Sequence, residues 1–263
     1  GEIVYVSGIA DVTIGETLAD PDDPRPMHEI TVDEPTLSMS IGVNTSPVAG
    51  SDGTKLTARQ IKARLDAELV GNVSIRVLPT DRLDTWEVQG RGELQLAILV
   101  ETMRREGYEF QVSRPRVITR KDVHGGLQEP YEEALVEVPS EIVGTILEKL
   151  GSRKGEMTDM RPMGDSGTTR LSLRVPARGL VGYRSKFLTD THGEGVLHHQ
   201  FHSWGPWAGV IRGRGRGVLV ADRVGRAVGF ALQNLQERGI LFVSPGEEVY
   251  GGMIVGENAR PGD

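Results

Sequence analysis

The sequence contains no cysteine, which excludes disulfides, thiolate metal sites and cysteine nucleophiles and agrees with a reducing compartment. No apolar run approaches the roughly 20 residues that a membrane-spanning helix needs. A basic excess is missing too. The chain has 30 Lys and Arg against 37 Asp and Glu, a net charge of -7, so any contact with a polyanion must be local. No signal peptide is visible, because Gly1-Glu2-Ile3-Val4-Tyr5-Val6 alternates like a strand already under way; the start is expected to be a cut. Acidic residues such as Glu34, Asp66 and Glu93 show no paired spacing that suggests catalysis, and no nucleophile has a base beside it, so no catalytic residue is expected.

What is present is a turn-rich chain of 263 residues with 34 Gly and 14 Pro, a length that suits two or three small domains. Residues 1–26 read as the end of a β-barrel and a linker, since Asp20 to Pro26 holds three prolines and three acids. Leu37 to Val43 alternates as a half-buried strand. Thr57 and Gln60 form a capping box for a helix with Ile61, Leu65 and Leu69 on one face. Strands follow around Val73–Val77 and Trp86–Val88, then a helix from Glu93 to Glu106, then a strand through Phe110.

The order then recurs. A strand at Ala134 to Val138 leads to a helix from Ile142 to Leu150, strands at 156–161 and 168–175, a helix from Gly179 to about Thr189, and a strand from Val196 to Phe201. Each half is the strand-helix-strand-strand-helix-strand pattern of a ferredoxin-like sandwich. The expected fold is therefore α+β: tandem sandwiches over 27–112 and 113–204, with a partial β-rich domain over 205–263.

Charge is uneven along this frame. Residues 1–110 hold 10 basic and 19 acidic side chains, residues 111–190 hold 13 and 11, and residues 191–263 hold 7 and 7. The cationic excess falls in the second sandwich. There Gly151 reads as the left-handed stop of a helix, with Arg153 and Lys154 thrown clear of the core, and the Arg178-Gly179 turn opens another helix with unpaired amides. Split βαβ topology is expected to set these two turns at opposite ends of a strand pair, as separate phosphate-facing corners. Arg212, Arg214 and Arg216 alternate with glycine, as in segments that follow single-stranded nucleic acid. His198 and His202 share a strand face but lie about 13 Å apart at about 3.3 Å per residue, too far for one metal ion, and no metal site is expected.

Residue identity adds a resemblance. Gly90-Arg91-Gly92-Glu93-Leu94-Gln95-Leu96, Met103-Arg104-Arg105-Glu106-Gly107-Tyr108, Ser113-Arg114-Pro115 and Gln128-Glu129-Pro130-Tyr131 resemble domain III passing into domain V of elongation factor G-type translational GTPases. Val32 to Thr36, Val43 to Pro47, Gly151 to Gly155 and Arg178 to Ser185 bring the resemblance closest to the BipA/TypA ribosome-associated family, with Gly225 to Val228 and Leu235 to Gly239 resembling the start of its C-terminal domain. The resemblance implies a ribosome-docking role in large-subunit (50S) assembly and stress-related translation. The implied partners are rRNA, ribosomal proteins and A-site tRNA, met in the cytoplasm by a monomer.

It also implies GTP and Mg2+ for a GTPase domain outside this sequence, because no G-x-x-x-x-G-K-[ST] loop occurs here. Asp190 to Gly193 and Asp222 to Gly225 meet a bare D-x-x-G pattern, which means nothing without that loop. The sequence also ends before the basic loop with which the family's C-terminal domain is expected to reach tRNA. The residues expected to contact RNA are Arg153, Lys154, Arg178, Arg184, Lys186, Arg212, Arg214 and Arg216. An alternative reading is a small-molecule-sensing module built from paired ferredoxin-like domains.

Overall fold

A computed structural model describes residues 2–9, 12, 14–28, 34–164, 167–211 and 216–262. The chain divides into two compact units, residues 1–43 with 55–121 and residues 44–54 with 122–263.

The first unit is built on β1 (Leu37–Val43), α1 (Ala58–Gly71), β2 (Arg76–Pro79), β3 (Thr85–Gly90), α2 (Glu93–Arg105) and β4 (Phe110–Val112), followed by the two-residue strands β5 (Arg116–Val117) and β6 (Arg120–Lys121). Its sheet runs β2-β3-β1-β4 with antiparallel neighbours. Alternation in β1 buries Leu37, Met39 and Ile41, and the helical period buries Ile61, Leu65, Leu96, Leu99 and Met103. The capping box forms as expected, with the Thr57 hydroxyl accepting from the Gln60 amide and the Gln60 side chain accepting from the Thr57 amide. The strand expected at Ile3 to Val6 does not form. Residues 2–9 have no ladder partner among the described residues, and Ile3 and Tyr5 stand fully exposed.

The second unit contains β7 (Leu127–Pro139), α3 (Val143–Ser152), β8 (Glu156–Pro162), β9 (Thr168–Pro176), α4 (Ala177–Leu180), α5 (Tyr183–Asp190) and β10 (Val196–Pro206). These strands run β10-β7-β9-β8, again antiparallel at each step. One face of the sheet gives Ala134, Val136, Val138, Leu171, Leu173 and Val175 to a core completed by Ile146, Leu150, Tyr183 and Phe187. The helix expected from Gly179 to Thr189 is two helices. The chain breaks at Val181 (ψ 124) and Gly182 (φ 65), so the second helix starts afresh at Tyr183. The unit continues through β11 (Val218–Val220), β12 (Gly225–Arg226), α6 (Gly229–Leu235), β13 (Gly239–Leu241), β14 (Glu248–Val249) and β15 (Ile254–Asn258), with Leu232, Val243 and Val255 as a small core. No helix of the described residues is long and apolar enough to cross a membrane.

Candidate nucleic-acid interface

The helix α3 continues through Gly151, so Gly151 is not its left-handed stop. That position belongs to Lys154, at φ 67. The amide of Gly155 donates to the Leu150 carbonyl at 2.8 Å and that of Lys154 to the Gly151 carbonyl at 3.0 Å, the paired bonds of a Schellman termination. Gly155 follows because a Cβ there would meet the Leu150 carbonyl oxygen at 3.0 Å. A lysine in this conformation carries strain that glycine would not, which points to a use for its exposed side chain. Lys154→Gly is expected to raise the stability of the chain by up to about 1 kcal/mol, the relief of strain being partly offset by glycine's greater unfolded-state entropy. Urea denaturation measures this, and a loss of stability would show that Lys154 sits there unstrained.

The two cationic turns are not at opposite ends of a strand pair. β8 and β9 are antiparallel neighbours in which Glu156, at the start of β8, lies opposite Arg174, near the end of β9. The exit of α3 and the exit of β9 therefore share one end of the sheet. Arg153 spans them. Its guanidinium donates to the Gly179 carbonyl at 2.6 Å and sits 5.0 Å from the centroid of the Tyr183 ring. Gly179 allows this approach, since a Cβ would stand 2.7 Å from the Arg153 carbonyl oxygen. The separate corners expected from the sequence are a single corner.

Arg153 is accordingly not thrown clear of the core, and burial pushes its guanidinium below the usual arginine range. Arg178 is committed more deeply. Its side chain is 15% exposed and paired through Nε and Nη2 with Glu129, which is wholly buried. The guanidinium also donates to the Gly209 carbonyl and lies 3.8 Å from the centroid of the Trp207 ring. Glu129 accepts in addition from the Ala208 amide at 2.7 Å. Both arginines thus have structural work, contrary to expectation; they hold the corner and the Pro206–Gly209 segment together.

Lys154, Arg184 and Lys186 remain exposed. Arg216 is half exposed, 3.9 Å from Glu257, while Arg212 and Arg214 lie outside the described residues. His199 pairs with buried Glu132, and no three histidine or carboxylate side chains gather as a metal site among the described residues. Glu129 and Tyr183 enter the sequence reading only inside the motifs of the resemblance, and Trp207 not at all; nothing in the sequence assigns the three their structural roles. Their roles depend on partners distant in the chain, and the one local signal is tryptophan, of which there are 3.

Residues 126–214 match the family described as the elongation factor G C-terminus, and residues 216–263 match the TypA/BipA C-terminal domain. The large ribosomal subunit assembly factor BipA of Bacillus subtilis is 49% identical over 100% of this chain and 43% of its own length. Proteins of the same name from a Synechocystis strain and Salmonella typhimurium are 48% and 44% identical, each over 100% of this chain and over 44% and 43% of their own lengths. The chain spans less than half the length of these curated relatives. With its whole length aligned to them, and its second unit matching both family descriptions, the chain belongs to the TypA/BipA family.

Proposed function

We propose that this chain is the ribosome-docking part of a TypA/BipA-type translational GTPase acting in large-subunit assembly, and that the corner at the ends of α3 and β9 faces ribosomal RNA. The observation that carries this reading is the division of labour among the cations. Arg153 and Arg178 lock the corner, while Lys154 is left exposed at it and Arg184 and Lys186 are left exposed on α5, which begins at Tyr183 beneath Arg153. Phosphate contacts from such side chains supply affinity, and the fixed shape supplies fit.

In this reading residues 27–112 and 113–204 are ferredoxin-like domains III and V, supported by the matching strand orders of the two sheets. Residues 1–26 are the end of domain II and residues 205–263 the start of the C-terminal domain, which reaches ribosomal proteins and A-site tRNA. GTP and Mg2+ belong to the GTPase domain of the longer protein, and the present residues contribute docking rather than chemistry. The protein works as a cytoplasmic monomer.

The combined variant Lys154→Glu, Arg184→Glu, Lys186→Glu tests this. All three side chains are exposed, so the fold is retained. Co-sedimentation with ribosomes is expected to weaken at least about tenfold, with the salt slope falling by about one for each phosphate that is no longer neutralised. Unchanged binding across a salt titration would overturn the docking role of this corner.

A further inference from the structure

Beside the corner lies a cleft of about 360 Å3 lined by Tyr131, Lys154, Gly155, Glu156, Trp207 and Ala208, among others. Its size is near the lower end of the roughly 300–1,000 Å3 range of small-ligand sites. Its walls differ in chemistry. One is aromatic, the indole of Trp207, 40% exposed. The other is polar: Lys154 and Glu156 are exposed on either side of Gly155, and neither takes part in an ion pair among the described residues. Arg174, opposite Glu156 in register, stacks on Tyr131 instead, 4.5 Å from the ring centroid.

The aromatic wall is fixed in advance. The Trp207 amide donates to the Leu127 carbonyl at 3.0 Å, the Ala208 amide to Glu129 at 2.7 Å, and the Tyr131 hydroxyl to the Pro206 carbonyl at 2.8 Å. Arg178 holds one face of the indole. A ligand therefore meets a formed site and loses little affinity to ordering it.

We propose that this cleft takes one unpaired guanine of an RNA strand, with its ring against Trp207, its Watson–Crick edge on the Glu156 carboxylate and its phosphate on Lys154. A carboxylate offers two acceptors and no donor. Among the four RNA bases guanine alone presents two adjacent N–H donors on that edge. Adenine and cytosine place an acceptor beside their amino group, and uracil flanks its single N–H with carbonyls. A base already paired has no free edge to offer, so the partner is a loop, bulge or single strand. Lys154 lines the same cleft two residues before Glu156, so that a neutral base edge and a phosphate can be read together. This inference rests on the RNA reading of the corner and narrows it to one nucleotide.

Four heptaribonucleotides, uridine throughout except for G, A, C or U at the centre, carry the same charge and differ in one base. With the full 263-residue chain, the guanine oligomer is expected to bind about tenfold more tightly than the others, within the range a bidentate base contact provides. Glu156→Gln is expected to abolish that preference, so that the guanine oligomer binds no more tightly than the other three, and Lys154→Gln to weaken all four alike. Free guanosine 5′-monophosphate, lacking the flanking chain, is expected to bind more weakly than the guanine oligomer. Equal affinity for the four, a preference that survives Glu156→Gln, monophosphate binding as tight as the oligomer's, or no oligomer binding at all would each overturn the proposal. Ribosome co-sedimentation of Arg184→Glu, Lys186→Glu, which leaves the cleft intact, tests the docking role separately, so failure of the base preference is told apart from failure of that role.

Discussion

Replacing Glu129 with alanine is expected to cost about 3–5 kcal/mol of stability, the usual penalty for removing one partner of a buried ion pair. The Glu129 side chain is wholly buried, and that of Arg178 is 15% exposed. Without the carboxylate, Arg178 keeps its charge in a site that water barely reaches, and the Ala208 amide is deprived of its acceptor at 2.7 Å. Glu129→Gln retains one acceptor oxygen and the shape of the side chain, so it is expected to cost less. Arg178→Lys keeps the charge but gives up both the two-pronged contact and the flat stack on Trp207, and it is expected to fall between the two. Urea denaturation of the chain measures the series. A cost below about 1 kcal/mol for Glu129→Ala would show that solvent already compensates the pair. The same substitution is expected to loosen the Trp207 wall of the cleft, because Glu129 reaches that segment through both Arg178 and Ala208.

This pair also shows where sequence reading stops. The alternation of β1, the Thr57–Gln60 box and the apolar period of α2 are local signals, and the structure forms each where the residues place it. Arg178 carries no such signal. Its partner lies 49 residues earlier, and a buried ion pair leaves no periodic trace in either segment. Arg153 reads as free in the sequence for the same reason, since its acceptor is a backbone carbonyl 26 residues later.

Three further departures have other physical causes. The rule that glycine ends a helix points to Gly151, but glycine in the last turn continues α3 and the left-handed position passes to Lys154. The cationic turns do not separate because an antiparallel hairpin brings the start of its first strand beside the end of its second, as Glu156 opposite Arg174 demonstrates. Apolar alternation at Ile3 to Val6 is necessary for a strand and not sufficient for one, because a ladder also needs a neighbour.

Tyr183 is expected to give opposite results with two substitutions. The residue is wholly buried in the core of the second unit, and its ring lies beneath the Arg153 guanidinium. Tyr183→Ala empties that site and is expected to cost about 3–5 kcal/mol, as large aromatic truncations in cores do. It also releases Arg153 from the corner. Tyr183→Phe keeps the ring and removes a hydroxyl that is buried with no hydrogen-bond partner among the described residues, so it is expected to be neutral or to stabilise by up to about 1 kcal/mol. Alkaline pH separates the two contributions of the residue. Burial, and then the nearby charge of Asp190, push the Tyr183 hydroxyl from its ordinary value of 10.0 up to about 12. The unfolded chain releases this proton near pH 10 while the folded chain retains it, so stability contributed by the neutral hydroxyl is present below pH 10 and lost as pH rises toward 12, by up to about 1.4 kcal/mol per pH unit. Tyr183→Phe has no such proton to lose. Its advantage over the parent chain is expected to widen across that interval in paired urea titrations, whereas parallel profiles would mean that the hydroxyl is reached by solvent in the folded state.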